Sequence, residues 1–284
     1  MRLGWALGAL FVVGCGSSGP VDRIVFTSGR DGNSELYLID SDGSHLKRLT
    51  DNTATDDFPL WSPDAKQISF LSDRDGNWQL WAMDPNGQNI RQLTFDPSYH
   101  HSPAWAPSGT QISFSSNAND GDWEVYSMGA DGSNIVNLTN TPGYDYSPNW
   151  APDGSKIAFV SERDGNAEIY VMDPDGSNQR RLTNNKTADW LGSSAWSPTG
   201  RILYGQVNGS QRDLRSMLPD GSDDRLELPD AHVNVGGWGP DGYSIVMSAG
   251  EPRLDVYIVN GGLMTDVTHD PAFADSPDCV RIAR

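Results

Sequence analysis

The sequence predicts an all-β protein: a six-bladed β-propeller of four-stranded antiparallel blades, closed by pairing of the C-terminal strand with blade one. Three observations predict it. Ile24, Ile68, Ile112, Ile157, Ile202 and Ile245 open short apolar runs at spacings of 43–45 residues. Turn signals of the Asp-Gly and Asn-Gly kind recur at the same places in each interval, where residues tolerant of positive φ make tight hairpins. A Trp-x-Pro marker precedes five of the six runs. Four short strands in 40–45 residues is the size of a propeller blade, whereas a helical solenoid would show a 3.6-residue period.

Residues 1–14 read as a lipoprotein signal peptide. Arg2 supplies one positive charge, Leu3 to Val13 is almost wholly apolar, and Gly14 is small. The run is too short for a permanent membrane helix and has the order of a secretory leader. Its end, Val12-Val13-Gly14-Cys15, resembles the bacterial lipobox, which implies a lipid on the Cys15 sulfur and cleavage before it. Gly16 rather than Asp follows, which in a two-membrane cell points to the outer membrane, facing the periplasm. Residues 15–23 are then a lipidated tether and 24–284 the propeller. Cys279 is the only other cysteine, so an intramolecular disulfide is not expected in the mature chain.

The blades follow in order. Blade four is the most regular: Lys156-Ile157-Ala158-Phe159-Val160, a turn at Arg163-Asp164-Gly165-Asn166, then Glu168-Ile169-Tyr170-Val171-Met172. A second turn at Pro174-Asp175-Gly176-Ser177 leads to Arg181-Leu182-Thr183. Blades one and two repeat the first turn at Arg30-Asp31-Gly32-Asn33 and Arg74-Asp75-Gly76-Asn77, and blades three and five the second at Asp131-Gly132 and Asp220-Gly221. The inner strands carry Trp61-Ser62-Pro63, Trp105-Ala106-Pro107, Trp150-Ala151-Pro152, Trp196-Ser197-Pro198 and Trp238-Gly239-Pro240. Blade five departs most, with Arg215 where other blades have an aromatic residue, and is expected to be the least regular. Blade six has Gly261-Gly262 in place of Asp-Gly-Ser. The first repeat has no Trp-x-Pro strand ahead of it, and the C-terminal Asp275-Ser276-Pro277-Asp278-Cys279 aligns with that strand. Cys279 is thus expected in the Trp position of blade one.

These motifs closely resemble the TolB-type propeller repeat, a WD-like family marked by Trp-Ser-Pro-Asp-Gly, Asp-Arg-Asp-Gly-Asn and Asp-Gly-Ser-x-x-x-x-Leu-Thr. The resemblance implies a periplasmic protein-binding propeller that partners envelope proteins or cell-wall-associated lipoproteins. TolB-type proteins carry an α/β domain ahead of the propeller. Only residues 16–23 lie between Cys15 and the first blade, so that domain is expected to be missing.

Function is expected on one face. With the strands of a blade lettered a to d from the innermost Trp-x-Pro strand outwards, the b–c turns and the loops from strand d to the next strand a lie together, and the d–a loops are the longest. They carry Asp56 and Asp57; Tyr99, His100 and His101; Tyr144, Asp145 and Tyr146; Asp189 and Trp190; His232 and Asn234; Phe273 and Asp275. Aromatic anchors among polar groups suit protein–protein or glycan binding. The alternative is a metal-dependent lyase or hydrolase acting on acidic saccharides, with a divalent metal on His100, His101 and His232, since imidazole and carboxylate suit zinc, manganese or iron.

Other chemistry finds no support. The net charge is −18, with no basic patch for a phosphate backbone, so nucleic-acid binding is not expected. The Asp73-Arg74-Asp75-Gly76 and Asp173-Pro174-Asp175-Gly176 stretches lack the downstream Glu of a calcium hand and read as turns. There is no Gly-x-Ser-x-Gly elbow and no phosphate loop. The expectation is a monomeric binding protein without a cofactor.

Overall fold

Six four-stranded antiparallel sheets form the molecule, one per blade. The computed structural model describes residues 21–282 except 120, 210, 230–232, 240, 250–254, 261–262 and 269–273. Cys15 and the leader, and with them the lipidation, lie outside the described residues, as do His232 and Phe273. No helix among the described residues is long and apolar enough to cross a membrane.

Each blade is a hairpin meander, its strands named a to d from the channel outwards. Blade four runs Asp145–Trp150, Ile157–Ser161, Glu168–Met172 and Arg180–Arg181. Strands b and c of this blade are buried throughout, because both faces of a blade pack against neighbouring blades. Phe159, Tyr170 and Met172 meet Ala104, Val125 and Trp150 in one cluster, while Ala158, Val160 and Ile169 meet Leu191, Trp196 and Tyr204 in another. Continuous apolar runs, rather than alternating ones, are what such two-sided burial demands.

The recurring Leu-Thr, Val267-Thr268 in blade six, has a structural purpose. Thr50, Thr94, Thr139, Thr183 and Thr268 each accept a hydrogen bond at their Oγ1 from a strand c backbone N–H, at 2.8–3.0 Å. The hydroxyl completes the sheet where strand d has already ended, so that this strand c N–H is not left unpaired. The glycine of the c–d turn also has a purpose. Gly176 has φ +85°, and a Cβ there would overlap the Leu138 carbonyl of the preceding blade.

Closure occurs as expected. The C-terminal strand Ala274–Ile282 is strand a of blade one and pairs with Val21–Ser28. Ile24 lies opposite Cys279, as Ile68 lies opposite Trp61, so Cys279 holds the Trp position. The first strand starts at Val21 rather than at Ile24, because Val21, Asp22 and Arg23 find partners in Ile282, Arg281 and Val280. Blade five is the irregular one: its strand a is reduced to Asp189–Trp190.

Candidate functional site

The inner strands set the chemistry of the channel. Their first residues in blades two to five, Asp56, His100, Asp145 and Asp189, turn into their own blades and are at most 1% exposed. In blades two and four an arginine from the b–c turn meets the buried acid. Arg74 Nη2 lies 2.9 and 3.0 Å from the two Asp56 oxygens, and Arg163 Nη2 lies 2.8 Å from Asp145 Oδ2. Each guanidinium also sits over aromatic rings, Arg74 on Phe70 and Trp81 and Arg163 on Phe159 and Tyr170. Desolvated cations gain from such ring faces.

Blade three has no arginine in its b–c hairpin, and His100 stands where the others have the acid. Its Nε2 lies 3.1 Å from Asp96 Oδ2, and its ring meets Phe114 edge-on at 5.3 Å. Burial pushes its pKa below the usual histidine value, against the pull of Asp96. His100 is therefore a core residue. His101, its neighbour on the strand, projects the other way, 4.3 Å from Phe58 of blade two. The two imidazoles do not converge on one point, and His232, the third candidate, lies outside the described residues. Among the described residues no group of three or more His, Cys, Asp and Glu is placed to hold a metal ion.

Asp145 and Asp189 are likewise removed from the expected docking surface by burial. Asp189 meets no arginine among the described residues. Asn185 and Gln206 donate to it at 2.8 and 3.2 Å, and desolvation raises its pKa from 3.8 to about 6. A raised acid pKa means the native state binds a proton more tightly than the unfolded chain. Stability from this group is complete below 3.8 and falls as pH rises through about 6. Asp189→Asn should flatten that fall and stabilise the protein at alkaline pH by about 2 kcal/mol. Urea melts of both proteins across this pH range check it, and parallel curves would refute it.

The third residues of the inner strands shape the cavity. Phe58, Ser102 and Ser147 have φ of 51°, 48° and 53°, and each precedes a proline. A register shift falls there in all three blades, between Asp57 and Leu60, His101 and Ala104, and Tyr146 and Asn149. Proline has no N–H for the ladder, so a bulge is where a sheet tolerates it. The bulges line a cavity of about 330 Å³ together with His101, Asn149 and Trp190. That volume is in the range of small-ligand sites.

The cavity has a floor. Blade five, with its shortened strand, sends Gly192–Ser194 across the channel. Asn149 Nδ2 donates to the Gly192 carbonyl at 2.9 Å, Trp238 N–H to the Ser194 carbonyl at 3.0 Å, and Ser194 Oγ to Asp278 at 2.9 Å. Asp278 also accepts from the Trp61 N–H at 2.8 Å. Blades one, two, four, five and six thus meet at one crossing, and Gly237 permits it because a Cβ there would overlap Ser194. A second cavity of about 240 Å³ lies among Trp61, Trp105, Trp150 and Trp196.

The aromatic residues expected at the mouth divide by burial. Tyr99 and Tyr144 are 46% and 44% exposed. Tyr146 is half-buried, its hydroxyl donating to Glu162 Oε1 at 3.2 Å. Trp190 is half-buried and packs between blades five and six, over Gly205, where any Cβ would overlap the indole. Its truncation should therefore lower stability, which changes its expected role from anchor to cavity wall. Gly205→Ala, by displacing that indole, should cost about 2–3 kcal/mol in a urea melt. A neutral effect would show that the ring has room elsewhere. For Asp275 and Asn234 the structure describes only the backbone pairing, with Thr27 and Ser248.

Three contributors were not singled out from sequence. Phe58 and Trp123 flank His101 at 4.3 and 6.5 Å between ring centres, and Phe95 of a d–a loop is 78% exposed. The x-Pro pairs Phe58-Pro59, Ser102-Pro103 and Ser147-Pro148 were the available signal for the bulge.

Comparison with known proteins adds a family. A family model described as the TolB beta propeller domain matches residues 18–119 and 97–268. The Tol-Pal system protein TolB of Geobacter sulfurreducens is 40% identical over 54 residues, 19% of this chain and 12% of that protein. The crystal structure of TolB from Acinetobacter baumannii superposes with a TM-score of 0.74 at 21% identity, over 92% of this chain and 66% of that one. An oligogalacturonate lyase in complex with manganese gives 0.64 at 15% identity, over 86% and 73%. Likeness at these identities is a likeness of fold.

Proposed function

This chain belongs to the TolB β-propeller domain family, and on that premise we propose that it is a non-catalytic binding propeller of the bacterial cell envelope. Its partners are envelope proteins or cell-wall-associated lipoproteins. They dock on the face made by the b–c turns and d–a loops. The observation that carries this reading is the set of exposed rings there, Phe95, Tyr99 and Tyr144, around a cavity mouth walled by Phe58, His101 and Trp190. Aromatic side chains at the centre of a contact dominate binding energy.

The lipid on Cys15 anchors the propeller, in the outer membrane facing the periplasm. The lipobox-like Val12-Val13-Gly14-Cys15 and the following Gly16 support this. Cys15→Ser should release the protein from membranes or stall its processing, as seen by fractionation and lipid labelling. Undiminished labelling of that variant would remove the anchor from the proposal.

The docking face is tested by the Tyr99→Ala, Tyr144→Ala double variant. It should weaken capture of envelope partners by about 2 kcal/mol or more, while its melting temperature stays close to that of the parent. Asp64→Ala and Asp175→Ala, in turns of the opposite face, should leave capture unchanged. The opposite outcome would place the working surface on the other side of the ring.

A further inference from the structure

Between blades three and four a groove of about 400 Å³ opens beside the channel mouth, lined by His101, Trp123, Tyr144, Tyr146, Ser147 and Glu162. Blade three supplies Trp123 through its extended b–c hairpin, strands Gln111–Asn119 and Asp122–Gly129, the longest b and c strands of the second to fourth blades. Blade four supplies the two tyrosines and the carboxylate. Ser147 N–H donates to Ser115 Oγ at 3.0 Å and ties the two blades at the base of the groove.

The electrostatics of this groove are unbalanced. Glu162 Oε1 accepts the Tyr146 hydroxyl at 3.2 Å, and among the described residues no basic side chain pairs with Glu162. The adjacent arginine is committed elsewhere: Arg163 reaches Asp145, Gln179 and Ser161. His101 does not supply the charge, because burial holds its pKa below the ordinary value. A half-buried carboxylate therefore faces three aromatic side chains with no cation among them.

The same propeller shows what fits such a setting. Arg74 and Arg163 each lie over two rings with a carboxylate at hydrogen-bond distance, and Arg30 lies over Phe26 and Tyr37. The planar guanidinium stacks on rings and presents a fork of donors to a carboxylate, which an ammonium does not do. Blade three is without an arginine of this kind, and its groove with blade four holds rings and an acid at the surface instead.

We propose that the groove formed by Trp123, Tyr144, Tyr146 and Glu162 receives the guanidinium of an arginine side chain presented by a partner protein. The inference rests on the protein-docking reading of this face and names the chemistry it selects. The chain's net charge of −18 favours the approach of a basic segment over long range, and the groove then selects arginine by contact.

The test uses acetyl-Gly-Arg-Gly-amide as probe, and the same peptide with citrulline, a neutral isostere of arginine, as control. Binding to the folded protein is followed by calorimetry and by the NMR shift of the Trp123 indole, assigned with Trp123→Phe. The arginine peptide should bind at least about tenfold more tightly than the citrulline peptide, as expected when a desolvated charge meets rings and a carboxylate. Glu162→Gln should erase the difference, with an unchanged melting temperature showing that the fold survives. Equal binding of the two peptides, no binding of the arginine peptide, or undiminished selectivity in Glu162→Gln would each overturn the proposal. Capture of envelope partners is measured in parallel. If capture persists while the peptide fails, the arginine subsite falls alone; if the Tyr99, Tyr144 double variant also captures normally, the docking face falls with it.

Discussion

Deleting residues 276–284 should abolish cooperative folding of the whole propeller. The segment carries the pairings of Val21, Asp22, Arg23, Ile24 and Val25 with Ile282, Arg281, Val280, Cys279 and Asp278. It also carries Asp278, which accepts from the Trp61 N–H of blade two and the Ser194 hydroxyl of blade five. Its loss opens an edge on Val21–Ser28, whose Ile24, Val25 and Phe26 are fully buried, and removes the latch of the ring. A propeller blade has no independent core, so the damage spreads to the neighbours on both sides. The loss should exceed about 5 kcal/mol, the lower bound of ordinary domain stability. Circular dichroism and a urea titration read the outcome. A truncated protein with the parent's melting temperature would show that the ring closes without its C-terminal strand.

The second large effect is expected at the buried ion pairs. Arg74→Met leaves Asp56, which is fully buried, with the Asn52 amide at 2.7 Å as its remaining polar side-chain contact among the described residues. An unpaired buried carboxylate costs about 3–5 kcal/mol. Arg74→Met combined with Asp56→Asn should lose clearly less than the sum of the single variants, because the second change removes the stranded charge. Strict additivity in that cycle would mean that Arg74 acts through its stacking on Phe70 and Trp81, not through Asp56. At the exposed pair Lys66–Asp64, where both side chains are more than half exposed, Lys66→Ala should change stability by less than about 1 kcal/mol.

The contrast between the two pairs explains why some expected site residues became structural. His100, Asp145 and Asp189 share their sequence surroundings with Tyr99, Tyr144 and Trp190. What separates them is the direction of the side chain at the start of strand a, and hence whether it enters the blade or faces the mouth. A histidine in a loop-like stretch beside a second histidine suggests a metal. Only the Phe114 ring beneath it and the Asp96 carboxylate beside it reveal a packed imidazole.

The sequence by itself determined the number of blades, the order of strands within them and the closure of the ring. Those features are local and repeated: Asp-Gly turns that require positive φ, apolar runs of strand length, and a Leu-Thr or Val-Thr step whose hydroxyl completes five of the six sheets. Six copies at one period leave little room for another architecture, and the unmatched inner strand at the beginning finds its counterpart at the end. The tertiary structure alone decided how the channel is filled and where its rings point. The crossing at Ser194 joins residues of five blades, and the groove at Glu162 pairs Trp123 with Tyr144 across a blade boundary. Such contacts join residues far apart in the chain. On the inner strands of blades two to four, the bulges at Phe58, Ser102 and Ser147 add one residue and so reverse the side that the following side chains of the strand face.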